Sequence, residues 1–249
     1  MSKSIPELSA VMPAYNEQEV LPVAVAKAVT ALDDLCEAWE LVVVDDGSTD
    51  RTPEILQEWS QRDSRVRIAT QPENAGYSQA LIRGFAECRY EAVFYTDADA
   101  QFDLHDIADL YPKLVEVDMV TGYRIGRQDR FIRFITSGVY NRLQGWSLGI
   151  RVRDVNCAFK LFRRSYFERV QLSSEGFLID AEIYARAKMA GLTWTQVGVR
   201  HKPRELGSTT VKVSTVLETL RELRALKQQL SREARELEDS AKQKPAQVQ

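Results

Sequence analysis

The sequence predicts an α/β protein with a mainly parallel, Rossmann-like sheet flanked by helices. Over the first 120 residues, short apolar runs alternate with segments of helical periodicity. This alternation is typical of parallel strands joined by right-handed helical crossovers. The run at residues 40–44 (ELVVV) also lacks polar alternation, as expected when helices cover both faces of the sheet.

The predicted elements of the first half follow one another in regular order. Strands are predicted at residues 8–12, 40–44, 66–70 and 92–96, and helices at residues 16–35, 52–62 and 77–88. Asn16 is expected to cap the first helix. Thr52 is expected to cap the second, with Pro53 at its first helical position.

The regular alternation ends near residue 122. We predict an amphipathic helix with basic flanks at residues 131–150, strands at residues 158–162 and 193–199, and a helix at residues 180–190. Residues 213–237 carry leucines at helical spacing among many charges, which predicts a further amphipathic helix. That helix is either a short coiled-coil arm that would join copies of the chain or a helix packed on its own domain. The segment after Ser240 is expected to be disordered.

Composition excludes several classes of protein. The chain has 249 residues, a net charge of −3 and 44% hydrophobic residues, which excludes a disordered chain or a disulfide-rich miniature protein. It contains no apolar run of the roughly 18–20 residues that cross a bilayer. The first residues lack the apolar stretch of a secretory signal. Three widely spaced cysteines are expected to be reduced thiols in a cytoplasmic protein.

Positive charge is concentrated in the middle of the chain. Residues 122–169 contain ten Arg and one Lys against three acids, a local balance of +8. Such a segment is either a solvated basic face or the site of an anionic partner. The rest of the chain is acidic and has no nucleic-acid-binding motif, so no nucleic-acid partner is expected.

Asp97 and Asp99 follow the fourth predicted strand and carry the chemical argument. In an extended segment residues i and i+2 point the same way, so the two carboxylates repel each other unless a cation lies between them. Mg²⁺ typically takes one or two protein carboxylates and completes its shell with water and substrate phosphate oxygens. Gln101 offers a third oxygen. Taken alone, such a pair is more often two solvated loop acids. Its position at the exit of a buried strand favours a divalent metal held against a diphosphate.

A second acidic pair, Asp45 and Asp46, ends the ELVVV strand. Gly47 and the polar residues after it are explained by a turn, whereas two consecutive acids also suit the N–H and hydroxyl groups of a nucleoside. Other nucleotide-binding motifs are absent, because the sequence has neither G-x-G-x-x-G after the first strand nor a P-loop. With two histidines in the chain, a histidine-rich metal site is excluded.

Several ordered motifs resemble the family 2 glycosyltransferases of GT-A fold. They are VMPAYNE at residues 11–17, VVDDGSTDRT at 43–52, NAGYSQALIRGF at 74–85 and TDADAQFD at 96–103. The second half resembles the polyprenyl-phosphate branch, such as dolichyl-phosphate mannose synthase, through GYR at 122–124, RDVNCAFKLFRR at 153–164, FLIDAE at 177–182 and HKPRELGST at 201–209. The resemblance covers roughly residues 8–212.

The resemblance implies a role for each matching residue. The nucleoside pocket would be lined by Pro13, Tyr15, Glu17 and Asp46, with the backbone of Ala98 close to the nucleotide. Mg²⁺ or Mn²⁺ would be held on the donor diphosphate by Asp97, Asp99 and Gln101. The acceptor phosphate would be bound by Arg124, Arg133 and Ser137, and Arg204 would approach the donor diphosphate. Asp180 and Glu182 occupy the position of the catalytic base in relatives with hydroxyl acceptors. The implied catalytic set is Asp99, Arg124, Asp180 and Glu182.

The implied activity is metal-dependent, inverting transfer of a sugar from a UDP- or GDP-linked donor to a polyprenyl phosphate. The alternatives are transfer to a glycan or other hydroxyl acceptor, and a non-catalytic nucleotide-sugar binding protein that oligomerises through residues 213–237. The implied catalytic domain is residues 1–210, with a nucleotide-binding half to residue 121 and an acceptor-binding half after it. Residues 211–240 form the helix and 241–249 the tail.

Many relatives carry membrane-spanning helices after the catalytic domain, and this sequence ends in a charged helix instead. We therefore expect peripheral contact with the inner face of the membrane. Residues 131–150 would either dock on lipid or cover the sheet.

Overall fold

The computed structural model describes residues 3–126, 145, 147–176, 178–203 and 215–243. Most of the helix predicted at residues 131–150 lies outside the described residues. The predicted ligand-binding residues Arg133, Ser137 and Arg204 lie outside them as well.

A mixed sheet forms the centre of the molecule, with strand order β3-β2-β1-β4-β6-β5-β7. Its strands are β1 (Ile5–Ala14), β2 (Cys36–Asp45), β3 (Val66–Thr70), β4 (Ala92–Thr96), β5 (Met119–Ile125), β6 (Phe159–Arg163) and β7 (Trp194–Arg200). Strands β1 to β4 are parallel to one another, and β5 is parallel to β7. The predicted α/β class with a mainly parallel sheet is confirmed.

Helices connect and flank these strands. They are α1 (Leu21–Leu35), α2 (Thr52–Arg62), α3 (Tyr77–Glu87), α4 (Ile107–Leu110), α5 (Ser165–Arg169), α6 (Ile179–Met189) and α7 (Thr215–Gln243). Two 3₁₀ turns, Leu104–Asp106 and Tyr111–Val115, border α4. Helix α3 lies close to the sheet because Gly84 has no side chain, and a Cβ there would collide with Val11 and Val44.

Strand β6 is the exception to the parallel arrangement, since it is antiparallel to both β4 and β5. Thr96 at the end of β4 is paired with Phe159 at the start of β6. The loop that leads into β6 therefore lies at the sheet edge where β4 ends. This edge also receives the carboxyl ends of β1, β2 and β5, so it collects residues from both halves of the chain.

The core is continuous from the sheet into the helices, and it contains all three cysteines of the sequence. Cys36, Cys88 and Cys157 are free and buried. Burial raises the pKa of each thiol to about 12. These thiols therefore pack as small apolar groups, in agreement with the expected reduced state.

Helix α7 packs on its own domain through its leucines. Leu223, Leu226 and Leu230 are buried in the common core. Arg186 on α6 donates to Glu233 on α7 at 2.6 Å. These leucines are thus not available to a coiled-coil arm, and of the two alternatives the structure favours packing within the chain. The helix extends to Gln243, past the boundary predicted at Ser240.

None of the helices in the described ranges combines the length and the apolar character that a membrane span requires.

Candidate active site

The two acids after β4 lie at the carboxyl edge of the sheet. The Tyr77 hydroxyl, at the start of α3, donates to Asp97 Oδ1 at 2.8 Å. The backbone N–H of Gln101 donates to Asp99 Oδ1 at 3.1 Å. Ala100, between Asp99 and Gln101, has a φ of 57°, in the left-handed region where a non-glycine residue is uncommon. The chain therefore turns sharply after Asp99 and keeps both acids at this edge.

The electrostatic environment of Asp97 disfavours its ionised form. Burial and the neighbouring charge of Asp99 raise the pKa of Asp97 to about 7, with a smaller contribution from Asp180. The hydrogen bond from Tyr77 and the charge of Arg124 act in the opposite direction. A cation between the two carboxylates would relieve this repulsion.

The donor set fits a divalent oxygen-binding cation whose remaining ligands come from a substrate. Across the described ranges, no three or more His, Cys, Asp or Glu side chains form a metal-binding group. The protein would thus supply two carboxylates, those of Asp97 and Asp99, with or without one amide oxygen. This small set of oxygen ligands suits Mg²⁺ or Mn²⁺ that also binds a diphosphate. The amide nitrogen of Gln101 donates to the Lys202 carbonyl at 2.8 Å, and the third-ligand role of Gln101 stays a prediction.

The segment after the acids pairs with the end of β7. Lys202 N–H donates to the Gln101 carbonyl at 2.8 Å, and Phe102 forms an isolated bridge with His201. The rings of Phe102 and His201 lie 4.9 Å apart. This pairing brings His201 and Lys202 beside the acidic turn.

On the nucleoside side, the loops after β1 and β2 are bound to each other. Asn16 Oδ1 accepts hydrogen bonds from the backbone of Thr49 at 2.8 Å and of Asp50 at 3.3 Å. Glu17 N–H donates to Thr52 Oγ1 at 2.9 Å. The predicted cap of the first helix is therefore wrong, because Asn16 bonds to the neighbouring loop and α1 begins five residues later, at Leu21. Thr52 likewise is the first helical residue of α2, without a side-chain cap.

Asp46 organises the loop that precedes α3. Its carboxylate accepts from Gln71 Nε2 at 2.7 Å, Ala75 N–H at 2.9 Å and Gly76 N–H at 3.0 Å. Burial raises the pKa of Asp46, and the two backbone donors oppose that rise. Gly47 fits beside this loop with a φ of 68°, where a Cβ would collide with the backbone of Glu73.

The other residues predicted for the nucleoside pocket lie at the same edge. Pro13 is near the end of β1, next to Val44 of β2. Tyr15 follows β1 and is 42% exposed, and Glu17 comes two residues later. Ala98 is buried between the two acids. The structure thus brings these residues to one edge, and their contacts with a nucleotide remain predictions.

Arg124 comes from β5 and is held by a buried acid. Its Nε donates to Asp154 Oδ2 at 2.7 Å and its Nη2 to Asp154 Oδ1 at 2.9 Å. This two-point contact fixes the plane of the guanidinium. The pKa of Arg124 is raised, through the hydrogen bonds and charge of Asp154 acting against burial. The guanidinium therefore stays a fixed cation, and its charge acts on Asp97.

Lys160 and Asp180 form a buried ion pair behind the acidic edge. Lys160 Nζ lies 2.5 Å from Asp180 Oδ1, and the Lys160 side chain is fully buried. The same Nζ donates to the carbonyls of Val155 and Cys157 and to the Tyr95 hydroxyl at 3.0 Å. Tyr95 Oη in turn donates to Asp180 Oδ1. One cation thus joins β4, β6, the loop after Asp154 and helix α6.

Comparison with known proteins supplies the family. Residues 9–171 match the family described as Glycosyl transferase family 2. The chain belongs to glycosyl transferase family 2. The resemblance predicted from its motifs is confirmed.

Curated relatives of this family 2 chain carry undecaprenyl phosphate in their name. Undecaprenyl-phosphate 4-deoxy-4-formamido-L-arabinose transferase of Salmonella choleraesuis (strain SC-B67) is 32% identical over 210 residues, which is 82% of this chain and 62% of that protein. The protein of the same name from Salmonella newport (strain SL254) matches over the same shares. The chain thus spans 62% of the length of these relatives.

Solved structures show the same fold. Glucosyl-3-phosphoglycerate synthase from Mycobacterium tuberculosis, in complex with uridine diphosphate, has a TM-score of 0.67 and 19% identity and covers 90% of this chain and 80% of that one. The complex of that enzyme with Mn²⁺, uridine diphosphate and phosphoglyceric acid has a TM-score of 0.64, also at 19% identity, and covers 90% of this chain and 76% of that one. The predicted GT-A type of fold is confirmed.

Glu182 is not brought to the acidic edge in this family 2 chain. It lies two positions after Asp180 on α6, which is about 200° around a helix. Its fully buried carboxylate accepts from Ser173 N–H, Ser174 N–H and Arg186 Nε. Ser173 and Ser174 precede α6, and Arg186 lies one turn further along it, so these contacts engage the carboxylate in holding the chain around α6. The catalytic role expected of Glu182 stays a prediction.

Three contributors to the site were not predicted from the sequence of this family 2 chain. The Asp154 carboxylate holds Arg124, and the Lys160 ammonium holds Asp180. The Tyr77 hydroxyl holds Asp97. A lone lysine within the apolar run FKLF was the available signal for Lys160, since a buried lysine requires an anionic partner.

Proposed function

We propose that this chain is a metal-dependent, inverting glycosyltransferase that moves a sugar from a nucleotide-diphosphate sugar to a polyprenyl phosphate. One observation carries the proposal: Asp97 and Asp99 follow β4 at the carboxyl edge of the sheet, and the charge of Arg124, fixed by Asp154, acts on Asp97. A metal-and-diphosphate site and an anion-binding group are therefore adjacent. The named acceptor of the curated relatives, undecaprenyl phosphate, supports the acceptor class.

The donor would bind at the edge formed by the loops after β1, β2 and β4. Pro13, Tyr15, Glu17 and Asp46 are proposed to line the nucleoside site, and Asp97 and Asp99 to hold Mg²⁺ or Mn²⁺, with Gln101 as a third ligand. The cation would neutralise negative charge on the departing nucleoside diphosphate. UDP- and GDP-linked donors both fit this description.

The acceptor side must bring a second anion close to the first. Two like charges about 4 Å apart repel by about 4 kcal/mol at an effective dielectric constant near 20. Arg124, held flat by Asp154, would offset part of this repulsion. Arg133 and Ser137 are proposed to bind the same phosphate, and Arg204 to approach the donor diphosphate.

Proton transfer is a minor requirement with this acceptor. A phosphate oxygen is already ionised at neutral pH, so it attacks the anomeric carbon without a strong general base. Asp180 is then proposed to contribute through its charge and its pairing with Lys160. A second candidate function, transfer to a hydroxyl acceptor, is favoured by the position of Asp180 near Asp97, because a hydroxyl must lose a proton to a base.

The location proposed for the chain is the cytoplasm, in peripheral contact with the inner face of the membrane that carries the acceptor.

The experiment is a thermal-shift panel of UDP- and GDP-sugars with and without Mn²⁺, followed by a transfer assay with a short polyprenyl phosphate in detergent. A specific ligand at about 100 times its dissociation constant adds about 2.7 kcal/mol to the free energy of unfolding. Asp99→Ala is expected to abolish the metal-dependent part of the shift. Asp109→Ala, an exposed acid on α4, is the matched control and should retain it.

Two results would contradict the proposal. One is a full metal-dependent shift in Asp99→Ala. The other is sugar transfer to a hydroxyl acceptor with none to the polyprenyl phosphate.

A further inference from the structure

Helix α7 presents a basic face to solvent. Five cations between residues 221 and 235 are exposed: Arg221, Arg224, Lys227, Arg232 and Arg235. At 3.6 residues per turn they fall within an arc of about 140° and span about 21 Å along the axis. We call this set the α7 basic face.

The two acids in the same stretch of α7 are directed away from the α7 basic face. Glu233 pairs with Arg186 on α6 at 2.6 Å, and the Glu222 carboxylate lies where a Cβ on Gly176 would collide with it. Both contacts lie on the side of α7 that faces its own domain. In the parts of the chain that the structure describes, none of the five cations forms an ion pair with a carboxylate. The positive charge of this face is therefore directed outwards.

We propose that the α7 basic face docks the protein on a membrane surface rich in anionic lipids. The choice of a membrane rests on the proposed function, because a polyprenyl-phosphate acceptor resides in a bilayer. Clusters of four to eight Lys and Arg on one helix surface are the pattern that binds anionic headgroups. The leucines of α7 are occupied by the core, so the contact is electrostatic and the helix does not insert its apolar side.

The position of α7 links this surface to the candidate active site. The carboxylate of Glu222, near the start of the basic stretch, lies beside Gly176, where a Cβ would collide with it. The Gly176 carbonyl accepts from the Ser78 hydroxyl at 2.8 Å, and the adjacent Tyr77 donates to Asp97. These contacts connect α7 with the acidic edge. Docking through α7 would thus fix the orientation of the acidic edge relative to the membrane that carries the acceptor.

The test is co-sedimentation of the full chain with vesicles of phosphatidylcholine alone or mixed with phosphatidylglycerol. The wild type should bind only the anionic vesicles, and added salt should weaken binding because screening shortens the range of these charges. Each cation near an anionic surface contributes about a fivefold gain in affinity. The triple variant R224Q/K227Q/R235Q should therefore need about 100-fold more lipid for half-maximal binding.

The matched control removes three exposed cations elsewhere, in R62Q/R83Q/K113Q. It lowers the net charge by the same amount and should bind vesicles within about twofold of the wild type. Both variants should keep the wild-type melting temperature, since glutamine is a good helix former and all six sites are exposed. Both should also retain wild-type transfer to a short acceptor in detergent, where no surface is required.

Equal loss in both triple variants would overturn the proposal, because binding would then depend only on net charge. Failure of the wild type to bind anionic vesicles, or salt-sensitive binding to nucleic acid in preference to vesicles, would overturn it as well. If vesicle binding behaves as expected and transfer in detergent fails, the docking surface stands and the proposed function is refuted.

Discussion

Replacing Lys160 by methionine tests the buried ion pair that supports the acidic edge. The change removes the cation and keeps a side chain of similar length, so Asp180 is left as a buried acid with Tyr95 as its remaining partner. The carbonyls of Val155 and Cys157 lose their donor as well. Removing one member of a buried pair costs about 3–5 kcal/mol. For a chain of this size, that corresponds to a fall of about 6–20 °C in melting temperature.

The assay is urea and thermal unfolding of four proteins: wild type, Lys160→Met, the double variant K160M/D180N, and Arg62→Met. The double variant replaces both charges and should recover about half of the lost stability, because no uncompensated charge remains buried. Arg62 is exposed and pairs with Glu58 at 3.5 Å, so its replacement should cost less than about 1 kcal/mol. The reasoning is refuted if Lys160→Met unfolds like the wild type, or if the double variant is no more stable than the single one.

Two further predictions concern the neighbouring acids. Glu182→Gln should lower the free energy of unfolding by about 2–4 kcal/mol, because it leaves Arg186 with a weaker buried partner. The kcat measured below the unfolding transition should stay within about twofold of the wild type. A large fall in kcat at unchanged stability would show that Glu182 takes part in the reaction. Mn²⁺ affinity, measured by electron paramagnetic resonance, should fall by up to about tenfold per pH unit below pH 7, since a proton competes with the metal for Asp97, whose pKa is raised to about 7. Tyr77→Phe removes a hydrogen bond that lowers the pKa of Asp97, so the fall in Mn²⁺ affinity should begin at higher pH. A Mn²⁺ affinity independent of pH would contradict the assignment of Asp97 as a metal ligand.

The sequence was informative where local pattern decides structure. Strands β3 and β4 have the predicted bounds, because uninterrupted apolar runs between polar turns leave few alternatives. The acidic pair at Asp97 and Asp99 could be placed for the same reason, since the exit of a buried strand fixes which edge of the sheet a residue joins.

Other features depend on partners far away in the chain. Strand β5 (MVTGYRI) was not predicted, because its glycine and polar residues weaken the local strand signal. Asn16 could have capped a helix, but its partners are 33 and 34 residues away. The sequence around Lys160 on β6 predicts no role for its side chain. The pair with Asp180, on a helix 20 residues later, depends on an antiparallel pairing that no local pattern specifies.

The burial of all three cysteines has a practical consequence for experiments on this protein. Thiol-reactive dyes attack the thiolate, and a buried thiol with a pKa of about 12 provides almost none at neutral pH. A cysteine introduced at the exposed Ser231 of α7 would therefore be labelled selectively, without prior removal of the natural ones. A polarity-sensitive fluorophore at that position would report directly whether the helix meets a lipid surface.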